Sequence, residues 1–464
     1  MSELVSITIE ISPEKKRQTF DSFGVSGAWW AQFVGGWEHI DAQSKKPCRE
    51  RIAELLFSEN NGIGITCYRY NLGGGSKNSG SCSFSAGNRG AESFALSDRK
   101  YDWSRDKNAV WMMKEAVKNG VDEIVLFSNS PPEMLTKNKK ACLDKPWFTN
   151  LSKKNYLPFA RYCFDVAEHF ISQGLPICYI SPVNEPLWVW TEKHGQEGCH
   201  YKPHAVARLF NVLARELENR PRLDSVKLSG AENGDIRWFN RSYTQALMKN
   251  ERVRQRIDAI DFHSYFLPIV PIGFLNDRIA FMRRFKKWMD SKYPDMPLKM
   301  SEWTHMRGGR DYGMDSALIQ ATVMTEDIDI LGVISWQHWI AVSESDFCDG
   351  LIYINEDEKT FELTKRYYAF GNFTKFITKG SCVIGTSCAD KELKTLAFKK
   401  NNETVVIIVN IHNKEKLCNI QSDQDRCMYV TDEEHDLEQV EIKHSGDIRI
   451  SPKSVNTIVI RDKY

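Results

Sequence analysis

Ile177-Cys178-Tyr179-Ile180-Ser181-Pro182-Val183-Asn184-Glu185-Pro186 is a β-rich apolar run that ends on an acid and is stopped by a proline. Upstream, Phe159, Cys163, Val166 and Phe170 recur at the spacing of one helix face. Downstream, Val206, Leu209, Phe210, Leu213 and Leu217 do the same. A strand held between two amphipathic helices is the repeating unit of a parallel sheet. Working outward, the same alternation predicts strands at 22–28, 65–71, 124–129, 177–184, 227–231, 257–264, 298–303 and 332–338, with helical patterns such as Ile52/Leu55/Leu56 between them. Eight such units close into an α/β (β/α)8 TIM barrel. The competing architecture is a doubly wound open sheet, but no strand is followed by a GxGxxG fingerprint or a GxxxxGK[ST] phosphate loop.

The pattern changes near residue 375. From Gly380 onward, helical periodicity gives way to short β-rich runs at 395–398, 404–410, 439–443 and 456–460, which predict a fused C-terminal β-sandwich. Residues 19–375 are expected to form the barrel and residues 376–464 the sandwich. Residues 7–11 alternate like a strand with no barrel role, so residues 1–18 are expected to join the C-terminal sheet. The acidic run at 432–434 reads as a solvated turn.

Composition narrows the function. A chain of 464 residues with 42% hydrophobic and 27% charged positions can bury a large core. Its net charge of +1, with no long Lys/Arg block, gives no footprint for nucleic acid. No apolar run approaches the roughly 20 residues of a membrane span, and the N-terminus has no basic region followed by an apolar one. As written, the chain is expected in the cytoplasm, or secreted if a leader has been removed. None of its 12 Cys form a CxxC pair, so reduced thiols are expected rather than a disulfide framework. The 13 Trp suit stacking on the apolar faces of sugar rings, although most Trp in any protein are core.

In a barrel, chemistry sits at the C-terminal ends of the strands. Glu185 ends the fourth strand, and Leu298-Lys299-Met300-Ser301-Glu302-Trp303 ends the seventh, on the opposite side of the mouth. Retaining glycoside hydrolysis needs one carboxyl that starts protonated and one carboxylate that attacks, about 5–5.5 Å apart. Asn184, just before the acid, is placed to donate to a sugar 2-hydroxyl. A lone strand-end Glu is more often a salt-bridge partner, but two on opposed strands favour catalysis. Glu232, Asp261 and Glu133 have no equally good opposite partner and read as structural or substrate-contacting. Cys199-His200 with His204 resembles a zinc site but has no second ligand pair. No metal or other cofactor is therefore expected. The absence of a GxSxG elbow disfavours a serine esterase.

The chain resembles glycoside hydrolase family 30, a family of retaining barrels with a fused β-sandwich. The resemblance is carried by FGVSGAWWA (23–31), YRYNLGGG (68–75), SNSPPEML (128–135), SPVNEP (181–186), DFHSY (261–265), SEW (301–303) and SWQHW (335–339), in that order. TVVIIVNIHN (404–413) and SPKSVNTIVI (451–460) look like the family's sandwich. The resemblance implies Glu185 as acid/base and Glu302 as nucleophile. It further implies that Arg69 steadies the nucleophile, that Tyr265 hydrogen-bonds it with His263 facing the barrel interior nearby, and that Trp336 is the floor beneath the sugar next to the scissile bond. Trp29, Trp30, Trp188, Trp190 and Trp303 are expected as further walls of the cleft. Within the family, SGAWWA looks most like the branch that cleaves β-1,6-linked galactan, acting on β-linked oligo- or polysaccharide. Other family activities (β-1,6-glucanase, xylanase or β-xylosidase, β-fucosidase, glucosylceramidase-like) and a non-catalytic carbohydrate-binding homologue remain open. Nothing in the sequence indicates an oligomeric state.

Overall fold

The computed structural model describes residues 5–82, 89–237, 240–265, 277–420, 425–442 and 446–461. Eight parallel strands close into a barrel: Ser22–Ser26, Cys67–Asn71, Glu123–Phe127, Ile177–Ser181, Lys227–Asp235, Ile257–Tyr265, Leu298–Trp303 and Val333–Ser343. Closure is made by the seventh strand, which pairs with the eighth, and by the eighth, which pairs with the first. Both faces of each strand are covered, by helices outside and by facing strands inside, which explains their near-continuous apolar reading. Helix Tyr156–Ile171 buries Phe159, Cys163, Val166 and Phe170. Helix Pro203–Glu218 starts on a proline, where no backbone donor is needed, and buries Val206, Leu209, Phe210, Leu213 and Leu217.

Strand ends differ from the sequence reading for identifiable reasons. The fourth strand stops at Ser181 because Pro182 cannot donate to a ladder. The eighth runs on to Ser343 because its end pairs in parallel with Gly350–Asn355, which turns back antiparallel to Thr360–Leu363. In the seventh, the ladder shifts register between Met300 and Glu302. This irregularity points both Ser301 and Glu302 into the barrel, where a regular pleat would have alternated them.

The second body is a curled nine-stranded, mostly antiparallel sheet around its own core, which includes Ile9, Ile384, Val406, Met428 and Ile458. Strand Ser6–Ser12 lies inside it, antiparallel to Cys382–Cys388 and parallel to Lys416–Ile420. Strands Cys382–Cys388, Lys416–Ile420, Asp425–Thr431 and Ile448–Ile450 escaped the sequence reading because their apolar positions are interrupted by polar or small residues. The run expected at 439–443 is observed as Asp436–Val440, and Lys443 lies outside the described residues. Asp432 is not a solvated turn residue. It is 5% exposed and accepts from the backbone N–H of Glu434 and of His435, each at 2.9 Å. The last barrel helix, Lys365–Thr374, locks the two bodies together through buried Asn372. Its amide donates to Thr457 at 3.0 Å and to the Tyr429 carbonyl at 3.2 Å, and accepts from Thr431 at 2.6 Å.

The expectation of reduced thiols throughout is corrected at one pair: Cys82 and Cys142 form a disulfide. They lie in two loops that only the fold brings together, so no local cysteine spacing announces the bond. Among the described residues, no helix is long and apolar enough to cross a membrane.

Candidate active site

The C-terminal mouth of the barrel opens into a cavity of about 580 Å³ whose walls include Glu185, Glu302, Asn184, Tyr265 and Trp188. Glu185 follows the fourth strand in a left-handed conformation, φ 44°, with its N–H donating to the Glu232 carbonyl at 2.8 Å. Gly234 completes this seat, because a Cβ there would stand 2.5 Å from Glu185 Oε1 and 2.3 Å from Trp188 Nε1. Glu302 comes from the seventh strand. Arg69 Nη1 donates to it at 3.0 Å and the Tyr265 hydroxyl at 3.3 Å.

His263, from the sixth strand and fully buried, lies between the carboxyls. Its Nδ1 is 3.0 Å from Glu185 Oε1 and 3.3 Å from Glu302 Oε1, and its Nε2 is 3.0 Å from Glu232 Oε2. The ligand-type atoms of Glu185, His263 and Glu302 all lie within 4.8 Å of one another. Burial alone would lower the imidazole, but Glu302, Glu185 and Glu232 outweigh it and push His263 up to about 10. That direction favours the protonated ring.

Glu232 is the cluster's buried counter-ion. Burial pushes its carboxyl up, but Arg69 at 3.0 Å and His263 win and hold it at about 2. Ser301 adds a hydrogen bond at 2.8 Å. Arg69 is itself fully buried, and burial lowers it, but Glu232 and Glu302 raise it above its ordinary value. Burial likewise pushes Glu302 up, as does Glu185, against His263 and Arg69, and the net direction is upward. Arg69 and His263 thus face three carboxyls, those of Glu185, Glu232 and Glu302.

Asn184 is aimed by a relay across adjacent strand ends. It accepts from Arg69 at 3.4 Å and donates to Asn129 at 3.0 Å, and Asn129 donates to Asn71 at 3.5 Å. Asn71 and Asn129 were not singled out in the sequence, although Asn71 ends the second barrel strand and Asn129 lies two residues past the third.

The tryptophans divide. Trp29, Trp188 and Trp190 line the cavity. Trp30 does not: it is 1% exposed, with its indole N–H on the Ser26 carbonyl. Trp336, expected as the floor, is fully buried on the helix side of its strand, donating to Asp327 at 3.0 Å and packing on Phe370. Trp303 packs against Trp336 at 6.0 Å between ring centroids. Trp339, three residues beyond Trp336 and so on the opposite face of the pleat, lines the cavity instead. Cys199 and His200 are turned elsewhere, His200 Nδ1 toward the Leu187 carbonyl at 3.2 Å.

The model of O-glycosyl hydrolase family 30 matches residues 6–353. An endo-β-1,6-galactanase of Hypocrea rufa is 26% identical over 434 residues, covering 86% of this chain and 80% of its own. Among solved structures, a conserved exported protein from Bacteroides fragilis superposes with a TM-score of 0.87 at 21% identity, over 98% of this chain and 100% of its own. The catalytic domain of GH30 xylanase C from Talaromyces cellulolyticus gives 0.75 at 18% identity, over 98% and 99%. These superpositions are likenesses of fold.

Proposed function

The chain belongs to O-glycosyl hydrolase family 30 and is a glycoside hydrolase, and from that premise we propose that it cleaves β-1,6-linked galactan or galacto-oligosaccharides with retention. The observation that carries the mechanism is the pair of opposed carboxyls, with ligand atoms of Glu185 and Glu302 within 4.8 Å. A nearest approach that short supports direct attack on the sugar, where inverting pairs stand roughly 6.5–9.5 Å apart to admit a water. In the first step Glu185 gives its proton to the glycosidic oxygen as the C1–O bond breaks, and Glu302 forms the new bond to C1. In the second, Glu185 takes a proton from water, whose oxygen displaces Glu302 from C1. Arg69 and Tyr265 orient the attacking carboxylate, and Asn184 contacts the 2-hydroxyl. His263 is a positioning residue that fixes both carboxyls.

The linkage reading is supported by the Hypocrea rufa relative, an endo-β-1,6-galactanase. The test is a panel of defined β-linked di- and oligosaccharides, with the anomer of the first product followed by NMR. Release of β-galacto products from β-1,6 substrates is expected. Activity confined to β-1,6-glucan or xylan would replace the linkage reading, and an initial α-product would overturn retention.

A further inference from the structure

One end of the cleft carries two polar side chains that the double displacement does not use. Arg89 lines the cavity with its guanidinium 4.3 Å over the Trp29 ring, and its Nε, shielded from solvent, has no hydrogen-bond partner. Asp349 lines the same cavity, 4% exposed, and its Oδ1 is also unpartnered. Among the described residues no ion pair joins them, although each lies within the other's electrostatic reach. An unpaired buried donor and an unpaired buried acceptor are each costly, and side chains that line a cleft relieve that cost by turning toward a ligand's groups.

Trp29 explains how Arg89 is held. Its backbone takes a left-handed conformation, φ 69°, which a bulky residue adopts only when its surroundings enforce it. Its ring meets Trp339 edge-on, at 5.0 Å and 87°. One indole face carries the guanidinium, so Trp29 serves as a shelf for the cation.

The ligand chemistry follows from charge. Among the described lining residues, Glu302, Asp346 and Asp349 stand beside one arginine, with Glu185 carrying the proton it donates, so a sugar acid would enter against net negative charge. A hydroxyl both donates and accepts. Neighbouring hydroxyls of an uncharged pyranose offer such a pair an acceptor for the arginine and a donor for the carboxylate.

We propose that Arg89 and Asp349 form a hydroxyl-reading clamp for an uncharged sugar, held by Trp29, and are specificity-determining residues of this glycosidase. The proposal rests on the reading of this cleft as a β-galactoside site. Its test compares wild type, Arg89→Met, Arg89→Lys and Asp349→Asn on β-1,6-galactobiosides lacking one hydroxyl at a time, with thermal midpoints as a control for folding. In wild type, loss of at least one hydroxyl should lower kcat/KM roughly 10- to 100-fold. In Arg89→Met that same loss should cost less than about threefold, because the donor it met is gone. Arg89→Lys, which keeps the cation but not the fork, should fall between. A residue that only braces the fold would lower the thermal midpoint and leave every deoxy penalty as in wild type, and that result overturns the clamp. A wild-type preference for a uronate-bearing substrate, lost in Arg89→Met, would overturn it in favour of an anion site. If wild type hydrolyses no β-galactoside, the functional reading fails. The clamp is then judged by calorimetry on Glu302→Gln, which should bind β-1,6-galactobiose and lose roughly tenfold in affinity when Arg89→Met is added. Absence of binding, or an unchanged affinity, sinks the clamp as well.

Discussion

Glu185 and Glu302 face each other across one imidazole, and their proposed roles are separable by chemistry. Glu185→Ala should spare the first step for substrates with good leaving groups and slow the second, with azide restoring turnover as a β-glycosyl azide. Glu302→Ala should abolish covalent trapping and give the α-azide instead. The anomer of the azide, read by NMR, checks both, and a β-azide from Glu302→Ala would reverse the assignment. The pH dependence follows from the same cluster. Glu302 must be ionised to attack and its carboxyl is raised by burial, so the acid limb of kcat/KM should fall above the ordinary carboxylate value of 4.5. His263 is raised from 6.5 to about 10, so its pairing contributes stability that is fully present below pH 6.5 and is lost as pH rises through about 10. Unfolding midpoints between pH 6.5 and 10 should slope downward in wild type. In His263→Gln, which is less stable throughout, the slope should flatten. An equal slope in both would place that pH dependence elsewhere.

At the scale of the element, strand parity decides which side chains reach the mouth. The apolar runs and their spacing made the eight strands legible, and the strand-end motifs pointed to Glu185, Asn184, Glu302 and Tyr265, which the fold gathers at one mouth. Parity within SWQHW was not legible, because a strand buried on both faces has tryptophan on either side and no polar alternation to set the phase. The family resemblance made Trp336 the floor, and nothing in the sequence pattern contradicted it, whereas its indole is fixed to Asp327 behind the strand. Glu232 was named and read as structural or substrate-contacting, but its partners were not legible, because Arg69, His263 and Ser301 come from three other strands. The parity makes a contrast that can be measured. Trp336→Ala should destabilise the fold by about 3–5 kcal/mol in chemical unfolding. Trp339→Ala should cost less stability and raise KM several-fold. The reverse pattern would exchange their roles.

At the scale of the molecule, a polar lock joins barrel and sheet. Asn372→Leu would remove the amide and leave the Thr431 and Thr457 hydroxyls and the Tyr429 carbonyl without it. A loss of about 2–5 kcal/mol in unfolding free energy is expected, with kcat/KM unchanged because the lock lies outside the cleft. A fall in kcat/KM at retained fold would show that the sheet reports to the mouth. The placement of strand Ser6–Ser12 between Cys382–Cys388 and Lys416–Ile420 also fixes an order of events during synthesis. That segment leaves the ribosome before any barrel strand, yet its partners follow the last of them, which at roughly 5–20 residues per second is a delay of tens of seconds. Through that interval the sheet partners of its backbone donors and acceptors do not yet exist, and the sheet closes around it only after the last barrel strand has been made.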